Sequence, residues 1–536
     1  MLKNFKHPLY KAIATGFLLT LSWPATGSIT PFIFIAFVPL LLLEERFFST
    51  NRSGFIRYAF LAFLIWNVGS TYFIFCVEEP FATKFTASAI TYFLNSLFMA
   101  LAFWLFHQTK KKIGVKQGYI GLIMYWMSFE YLHYHWDINW PWLNLGNVFS
   151  ERITWIQWYE YTGVQGGTLW VLIINLLVFQ LIRQWNINRR ALLSLSACAL
   201  VFPILVSLFL FHSEEANEGA VNIVLVQPNI DPYDEKFDTD PKEQLERMLL
   251  LAEEKITEET DFVIFPETAL QERGLWEHQF QHSYSHGRLN EFLEKHQEIE
   301  LIIGASIIKY YGKEKATYTA RFHKADEFYY DAFNTAIHFS DPNEFEMYHK
   351  SKLVPGTEKM PFAKYLGFLE ELAWDLGGTS GSLGKQKERE VFVDDSVKIA
   401  PLICYESVFG EYVTDYIKQG GNMLCIITND GWWQDSPGFK QHLQYASLRA
   451  IENRKAIARS ANTGVSAFID EKGRIYSKTE FWEPAVVSGS LPINNELTLY
   501  AEYGDFITRP MLMVAALLIA WTFFKPNKRT IKENRS

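Results

Sequence analysis

Residues 398–410, KIAPLICYESVFG, decide how the rest of the chain is read. The apolar run Ile399 to Ile403 predicts a buried strand, Cys404 falls in the turn after it, and Ser407 to Gly410 lead into an amphipathic run suited to a helix. Strand, tight turn and helix is the arrangement that holds a nucleophile clear of a sheet, where backbone N–H groups can face a developing oxyanion. A lone strand cysteine is more often packing than chemistry, because cysteine is among the most buried residue types. The functional reading of Cys404 therefore depends on its companions along the chain.

Outward from this stretch, composition divides the chain. At 536 residues it is too long for one ordinary domain, and its 49% hydrophobic and 16% aromatic content is high for a soluble protein. Apolar stretches crowd into residues 1–212 and return near Ile507, whereas Glu218 to Tyr503 has the mixed composition of a soluble α/β domain. Candidate membrane spans are Ala12 to Gly27, Ile29 to Leu43, Phe55 to Cys76, Ala87 to Gln108, Gly118 to His133, Gly167 to Gln184, Arg190 to His212 and Ile507 to Phe524. The first also fits a cleavable signal peptide, with Lys3, Lys6 and Lys11 before it and small residues at Ala25 to Ser28; the six spans that follow before the soluble region favour a retained helix.

Basic residues orient these spans. Lys3 to Lys11, Arg46 to Arg57, Lys110 to Lys116, Arg183 to Arg190 and Lys525 to Lys532 occupy every other connection, and basic connections stay in the cytoplasm. Both termini are therefore expected to be cytoplasmic. The expected domains are 1–212, a membrane domain of seven transmembrane helices; 213–505, an extracytoplasmic α/β domain; and 506–536, a last transmembrane helix with a cytoplasmic tail. The net charge of −9 with no long basic block argues against a nucleic-acid partner. No CxxC pair and no HExxH is present, so no metal is expected, and Cys76, Cys198, Cys404 and Cys425 have no framework spacing.

Two features of the membrane region carry open readings. The connection from Tyr134 to Gln165 is rich in Trp and Tyr, which suits the headgroup layer, either as an anchoring belt or as the border of a lipid-entry site. Glu130, inside the fifth span, is either a functional intramembrane carboxylate or a group reaching headgroup water. In the middle region, short apolar runs alternate with amphipathic ones, the pattern of an α/β layered domain. Asp375 to Gly384 reads as a mobile loop.

Three stretches of this region stand out: FVIFPE, ending at Glu267; YHKSKLVP, carrying Lys350; and PLICYE, carrying Cys404. Spacing alone does not choose between Lys350 and Lys352. Together the three resemble the Glu, Lys and Cys motifs of the nitrilase superfamily. In this order, with membrane spans on both sides, they resemble the apolipoprotein N-acyltransferases, and the family's Y-x-K pattern selects Lys350. The resemblance implies a nitrilase-like αββα sandwich beside a multi-span α-helical membrane domain.

For the site, the resemblance implies Glu267 as base, Lys350 as stabilising ammonium and Cys404 as nucleophile, supported by Glu358, Tyr405 and Glu406. It also implies a substrate contact at Phe237, where the family often has Trp, and pocket lining by Asn429-Asp-Gly-Trp-Trp433, in which Trp432 and Trp433 either meet substrate or serve packing. Gly356-Thr357 stands where the family more often has Phe-Gly. The residue types suit acyl transfer: a thiol of pKa about 8.5 needs a neighbouring base, and a fixed ammonium can stabilise both thiolate and oxyanion. The implied function is transfer of an acyl chain from a membrane phospholipid, through a Cys404 thioester, to the α-amine of a diacylglyceryl apolipoprotein. No cofactor is implied, and a monomer in a bacterial inner membrane is expected. The rival readings are a membrane-anchored amidase that passes the acyl group to water, and a binding protein with a silent site.

Overall fold

The computed structural model describes residues 7–213, 219–236, 238–362, 382–394 and 397–524. Phe237, most of Asp375 to Gly384, Lys3 and Lys6 and the basic tail beyond Phe524 lie outside them. The amino-terminal part is helical: α1 (Pro8–Ser22), α2 (Val38–Ser49), α3 (Phe55–Thr71), α4 (Phe81–Lys112), α5 (Val115–His135), α6 (Tyr159–Arg183) and α7 (Trp185–His212). Among the described residues, α3 with its 3-10 extension to Phe75, α4, α6 and α7 are long and apolar enough to cross a membrane. The first two expected spans are shorter than their apolar runs. Helix α1 stops at Ser22, ahead of Pro24, and the second run begins as a 3-10 turn, Thr30–Phe34, so that α2 starts only at Val38, just before Pro39. Helix α6 begins earlier than expected and kinks at Gly163 (φ +61°), where a Cβ would lie 2.2 Å from the ring of Tyr500.

The second part contains β1 (Ala220–Gln227), α8 (Pro241–Glu253), β2 (Phe262–Ile264), α9 (Tyr284–Lys295), β3 (Glu300–Gly312), β4 (Arg321–His323), β5 (Phe328–Asp341) and β6 (Glu344–His349). It continues with β7 (Phe392–Asp394), β8 (Val397–Ile403), α10 (Gly410–Lys418), β9 (Met423–Thr428), α11 (Pro437–Asn453), β10 (Ile457–Ala461), β11 (Ala467–Ile469), β12 (Ile475–Tyr476), β13 (Ala485–Pro492) and α12 (Leu499–Tyr503). Helix α13 (Thr508–Phe524) closes the described chain.

The strands form two sheets, one ordered β13-β1-β2-β3-β5-β4 with β6 on β5, the other β12-β11-β10-β9-β8-β7. Alternation along β1 shows how they stack. Ile223 and Leu225 join the core shared with the second sheet, whereas Val224 and Val226 pack with Leu245, Met248, Leu289 and Phe292 of α8 and α9. Helices α10 and α11 cover the second sheet, completing an αββα sandwich. At the centre of each sheet the strands are parallel (β1, β2 and β3; β8, β9 and β10). Their carboxyl ends thus deliver the segments after β2, β8 and β9 to a common edge, where open α/β sheets place their sites.

Helix α11 joins the two parts. Gln441 Nε2 donates to the carbonyls of Pro24 and Ser70 (both 3.0 Å), and its Oε1 accepts from Trp142 Nε1 (2.5 Å). The Val164 N–H donates to Glu452 (2.9 Å). The expectation that the aromatic connection lies in the headgroup layer fails for Trp142 and Tyr159, which are fully buried in this junction. Glu130 is buried too and reaches no headgroup water: it accepts from Trp126 Nε1 (2.8 Å), the Leu145 N–H (2.8 Å) and Thr168 Oγ1 (2.7 Å), pinning the start of that connection to α5 and α6.

Candidate active site

Cys404 follows β8 directly and sits in the left-handed region (φ +52°), a backbone state that a residue with a Cβ holds only when its surroundings impose it. Part of that imposition is Glu406. Its Oε2 accepts from the Ile403 N–H (2.9 Å), and its Oε1 accepts from Tyr348 Oη (2.8 Å), Tyr412 Oη (2.6 Å), the Ser351 N–H (2.7 Å) and the Lys352 N–H (3.1 Å). One buried carboxylate therefore ties the nucleophile turn to the segment carrying Lys350. Burial pushes the Glu406 pKa up, against the pull of those donors.

Glu267 lies three residues beyond β2. Its Oε1 accepts from Asn334 Nδ2 (2.7 Å) and Lys350 Nζ (3.2 Å), and its Oε2 accepts from the Asn429 N–H after β9 (3.0 Å). Its backbone lies against Gly304 of β3, where a Cβ would come within 2.6 Å of the Glu267 Cα. Lys350, just past β6, is 1% exposed; its N–H donates to the Asn334 carbonyl (2.8 Å) and its Nζ to Glu358 Oε1 (2.7 Å). Glu358 is held in turn by the Val354 N–H (2.8 Å).

Glu267, Lys350 and Cys404 line one cavity of about 200 Å³, together with Asn334, Glu358, Trp432 and Trp433. Val77, just beyond α3, gives the membrane part a share of the wall. Burial disfavours the Lys350 charge, but Glu267 and Glu358 outweigh it and hold its pKa well above that of an ordinary lysine. Burial pushes the Cys404 thiol far up, and Glu267 adds to this while Lys350 opposes it.

The residues expected from sequence fall into place unevenly. Tyr405 points away from the nucleophile, its hydroxyl donating to the Asn139 carbonyl (2.9 Å). Trp432 packs edge-on against Tyr233, and Trp433 packs on Phe73 and Trp142, so both wall the cavity and Trp433 also braces the junction. Phe237 lies outside the described residues. Lys352 is not in the cavity wall; its ammonium lies over the rings of Phe409 (5.0 Å) and Tyr412 (5.6 Å). Sequence reasoning missed Asn334, one of several polar side chains buried along β5 with Asp331, Thr335 and His338, and Lys236, which lines the cavity and donates to Thr268 Oγ1 (2.5 Å). Burial lowers the Lys236 pKa to about 8, with Glu267 opposing.

Comparison with known proteins agrees with this division of the chain. The carbon-nitrogen hydrolase family matches residues 222–495, and the apolipoprotein N-acyltransferase N-terminal domain matches residues 15–177. An apolipoprotein N-acyltransferase of Chlorobaculum tepidum is 28% identical over 95% of this chain and 96% of its own length, and one of Geobacter metallireducens is 26% identical over 96% and 94%. Among solved structures, a Saccharomyces cerevisiae member of branch 10 of the nitrilase superfamily covers 59% of this chain and 99% of its own, with 15% identity and a TM-score of 0.36. The chain belongs to the carbon-nitrogen hydrolase family and, by the membrane domain joined to it, to the apolipoprotein N-acyltransferases.

Proposed function

We propose that the protein transfers an acyl chain from a membrane phospholipid to the α-amine of the amino-terminal diacylglyceryl-cysteine of apolipoproteins, through a thioester on Cys404. The observation that carries this reading is the shared cavity of Cys404, Glu267 and Lys350, walled in part by the membrane domain. As Cys404 attacks the ester carbonyl, Glu267 takes the thiol proton, a step the raised thiol pKa makes necessary. Lys350 has three N–H donors; two are given to Glu267 and Glu358, which leaves one for the oxyanion of the tetrahedral intermediate. Collapse breaks the ester C–O bond, Glu267 returns its proton to the leaving oxygen, and a lysophospholipid departs. The lipoprotein amine then attacks the thioester carbonyl, the C–S bond breaks, and the proton lost by the amine restores the thiol by way of Glu267.

Trp432 and Trp433 contact the acyl donor in this reading, Glu358 and Glu406 hold the reacting residues, and Tyr405 supports them by tying the turn after Cys404 to Asn139. The enzyme acts as a monomer in the bacterial inner membrane with eight spans, both termini cytoplasmic and the sandwich on the extracytoplasmic side. A lipid-anchored donor and acceptor both require that placement. Hydrolysis of small amides is not favoured, because the relatives match this chain through the membrane domain as well as the sandwich.

Intact-mass measurement tests the reading. Incubation with phospholipid should add one acyl mass to Cys404, and a diacylated lipopeptide should then remove it. Cys404→Ala should carry no acyl group; a variant acylated as well as the parent would show that another residue is the nucleophile.

A further inference from the structure

Behind Cys404, on the side away from the substrate cavity, lies a chain of buried polar groups that the mechanism above does not use. His442, in the second turn of α11, is 1% exposed. Its Nδ1 meets Asp430 Oδ1 at 2.9 Å, and its Nε2 lies 3.0 Å from Ser407 Oγ and 3.2 Å from the carbonyl oxygen of Cys404 itself. Ser407 Oγ donates to that same carbonyl (2.8 Å). Asp430 is fixed in turn: its Oδ2 accepts from Arg459 Nη2 (2.5 Å) and its Oδ1 from Thr428 Oγ1 (3.0 Å). Burial works against the Asp430 charge, but Arg459 and His442 outweigh it and hold the carboxyl well below the usual range, so it stays ionised beside the imidazole. None of His442, Asp430 and Ser407 lines the cavity.

The peptide that these groups grip is the one whose left-handed conformation aims the thiol. Asn429, the residue before Asp430, gives its N–H to Glu267. The segment after β9 therefore reaches the base with one residue and, through His442, the nucleophile with the next. We propose that His442, oriented by Asp430, is a positioning residue for the acylation step, fixing the Cys404 peptide through its carbonyl and Ser407 so that the sulfur meets the ester within reach of Glu267. The inference rests on the reading of Cys404 as nucleophile.

Two substitutions separate this role from packing. Asparagine at 442 places its amide where Nδ1 stood and keeps only the Asp430 contact; glutamine reaches the position of Nε2 and keeps the contact with Ser407 and the Cys404 carbonyl. With full-length protein in phospholipid nanodiscs, acyl-enzyme formation is timed by intact mass for the parent, His442→Asn, His442→Gln, Ser407→Ala and Cys404→Ala. His442→Asn should slow acylation on the order of 10²-fold, the scale of a reacting atom displaced by about 1 Å. His442→Gln should recover most of that loss, Ser407→Ala should also slow the step, and the KM for phospholipid should stay at the parent value. Equal rates for the Asn and Gln variants, or a loss that appears only in KM, would overturn the positioning role. If both position-442 variants fail to fold, Ser407→Ala at the parent rate overturns it. Acylation of Cys404→Ala would instead remove the nucleophile assignment on which the inference stands.

Discussion

At the scale of single residues, the cavity is an exercise in balancing charge. Two carboxylates share one ammonium, and the thiol beside them feels Glu267 and Asp430 against Lys350, so the effects of removing Glu267 or Lys350 are opposite and measurable. Because the Cys404 pKa is raised, its alkylation by iodoacetamide should climb about tenfold per pH unit through pH 9 without reaching a plateau, as expected when only the thiolate reacts. Glu267→Gln removes a negative neighbour and lowers the thiol pKa, so alkylation below the plateau should become faster even as acyl transfer falls on the order of 10² to 10⁴-fold from loss of the base. Lys350→Met should slow alkylation at every pH below the plateau. If Glu267→Gln instead slows alkylation, the carboxylate does not face the sulfur as described. Asn334 is the neutral member of the set: Asn334→Ala leaves Glu267 short of one donor and should cost about 1–3 kcal/mol in the acylation barrier, read from kcat/KM.

At the scale of elements, the loop after β8 and the segment after β6 act as one piece because Glu406 accepts from both. Glu406→Gln keeps the shape but replaces a charged acceptor of five donors with an amide that meets several of them with its own N–H groups. It should lower folding stability by about 2–4 kcal/mol, seen as a drop in thermal midpoint, and should reduce acylation by displacing Lys350 and Cys404 together. The strand that delivers Cys404 was legible in sequence because a run of buried apolar residues ending in a turn is a local pattern, and the Glu267 motif ends a run of the same kind; Lys350 follows β6, whose residues are partly exposed, and was picked out only by the family's Y-x-K pattern. Asn334 was not, since its importance comes from the antiparallel register that sets Thr335 opposite His349 and so brings residue 334 to Lys350. Nor were Asp430 and His442: twelve positions apart, on a strand end and a helix, they meet only when α11 packs back over the sheet. The first two spans read as short in sequence, but the ends of α1 and α2 were not legible because hydropathy marks apolar length, whereas Pro24 and Pro39 set where helix stops and starts.

At the scale of the molecule, the sandwich and the membrane domain are one structure, and α11 is the reason. One side of this helix holds the Cys404 carbonyl through His442; the adjacent residue, Gln441, bonds to the ends of α1 and α3 and to Trp142, and Glu452 takes the Val164 N–H of α6. Arg454, just past the helix, pairs with Glu160 (2.5 Å) and bonds Gln157 (2.6 Å). Such a junction is unlike the small polar contacts across which domains ordinarily move. Gln441→Leu preserves volume but leaves two carbonyls and an indole N–H buried without partners, each worth about 1–3 kcal/mol, and should lower the thermal midpoint of the whole protein rather than create a separate transition for the sandwich. The same reasoning extends to a cut chain. Residues 213–505 produced alone would expose the buried face of α11 to water and should be recovered as aggregate, whereas co-production with residues 1–212 should return it to the membrane fraction in folded form. Size-exclusion chromatography of the two preparations decides the matter, and a monodisperse, folded 213–505 fragment would show that the sandwich stands without the helices beneath it.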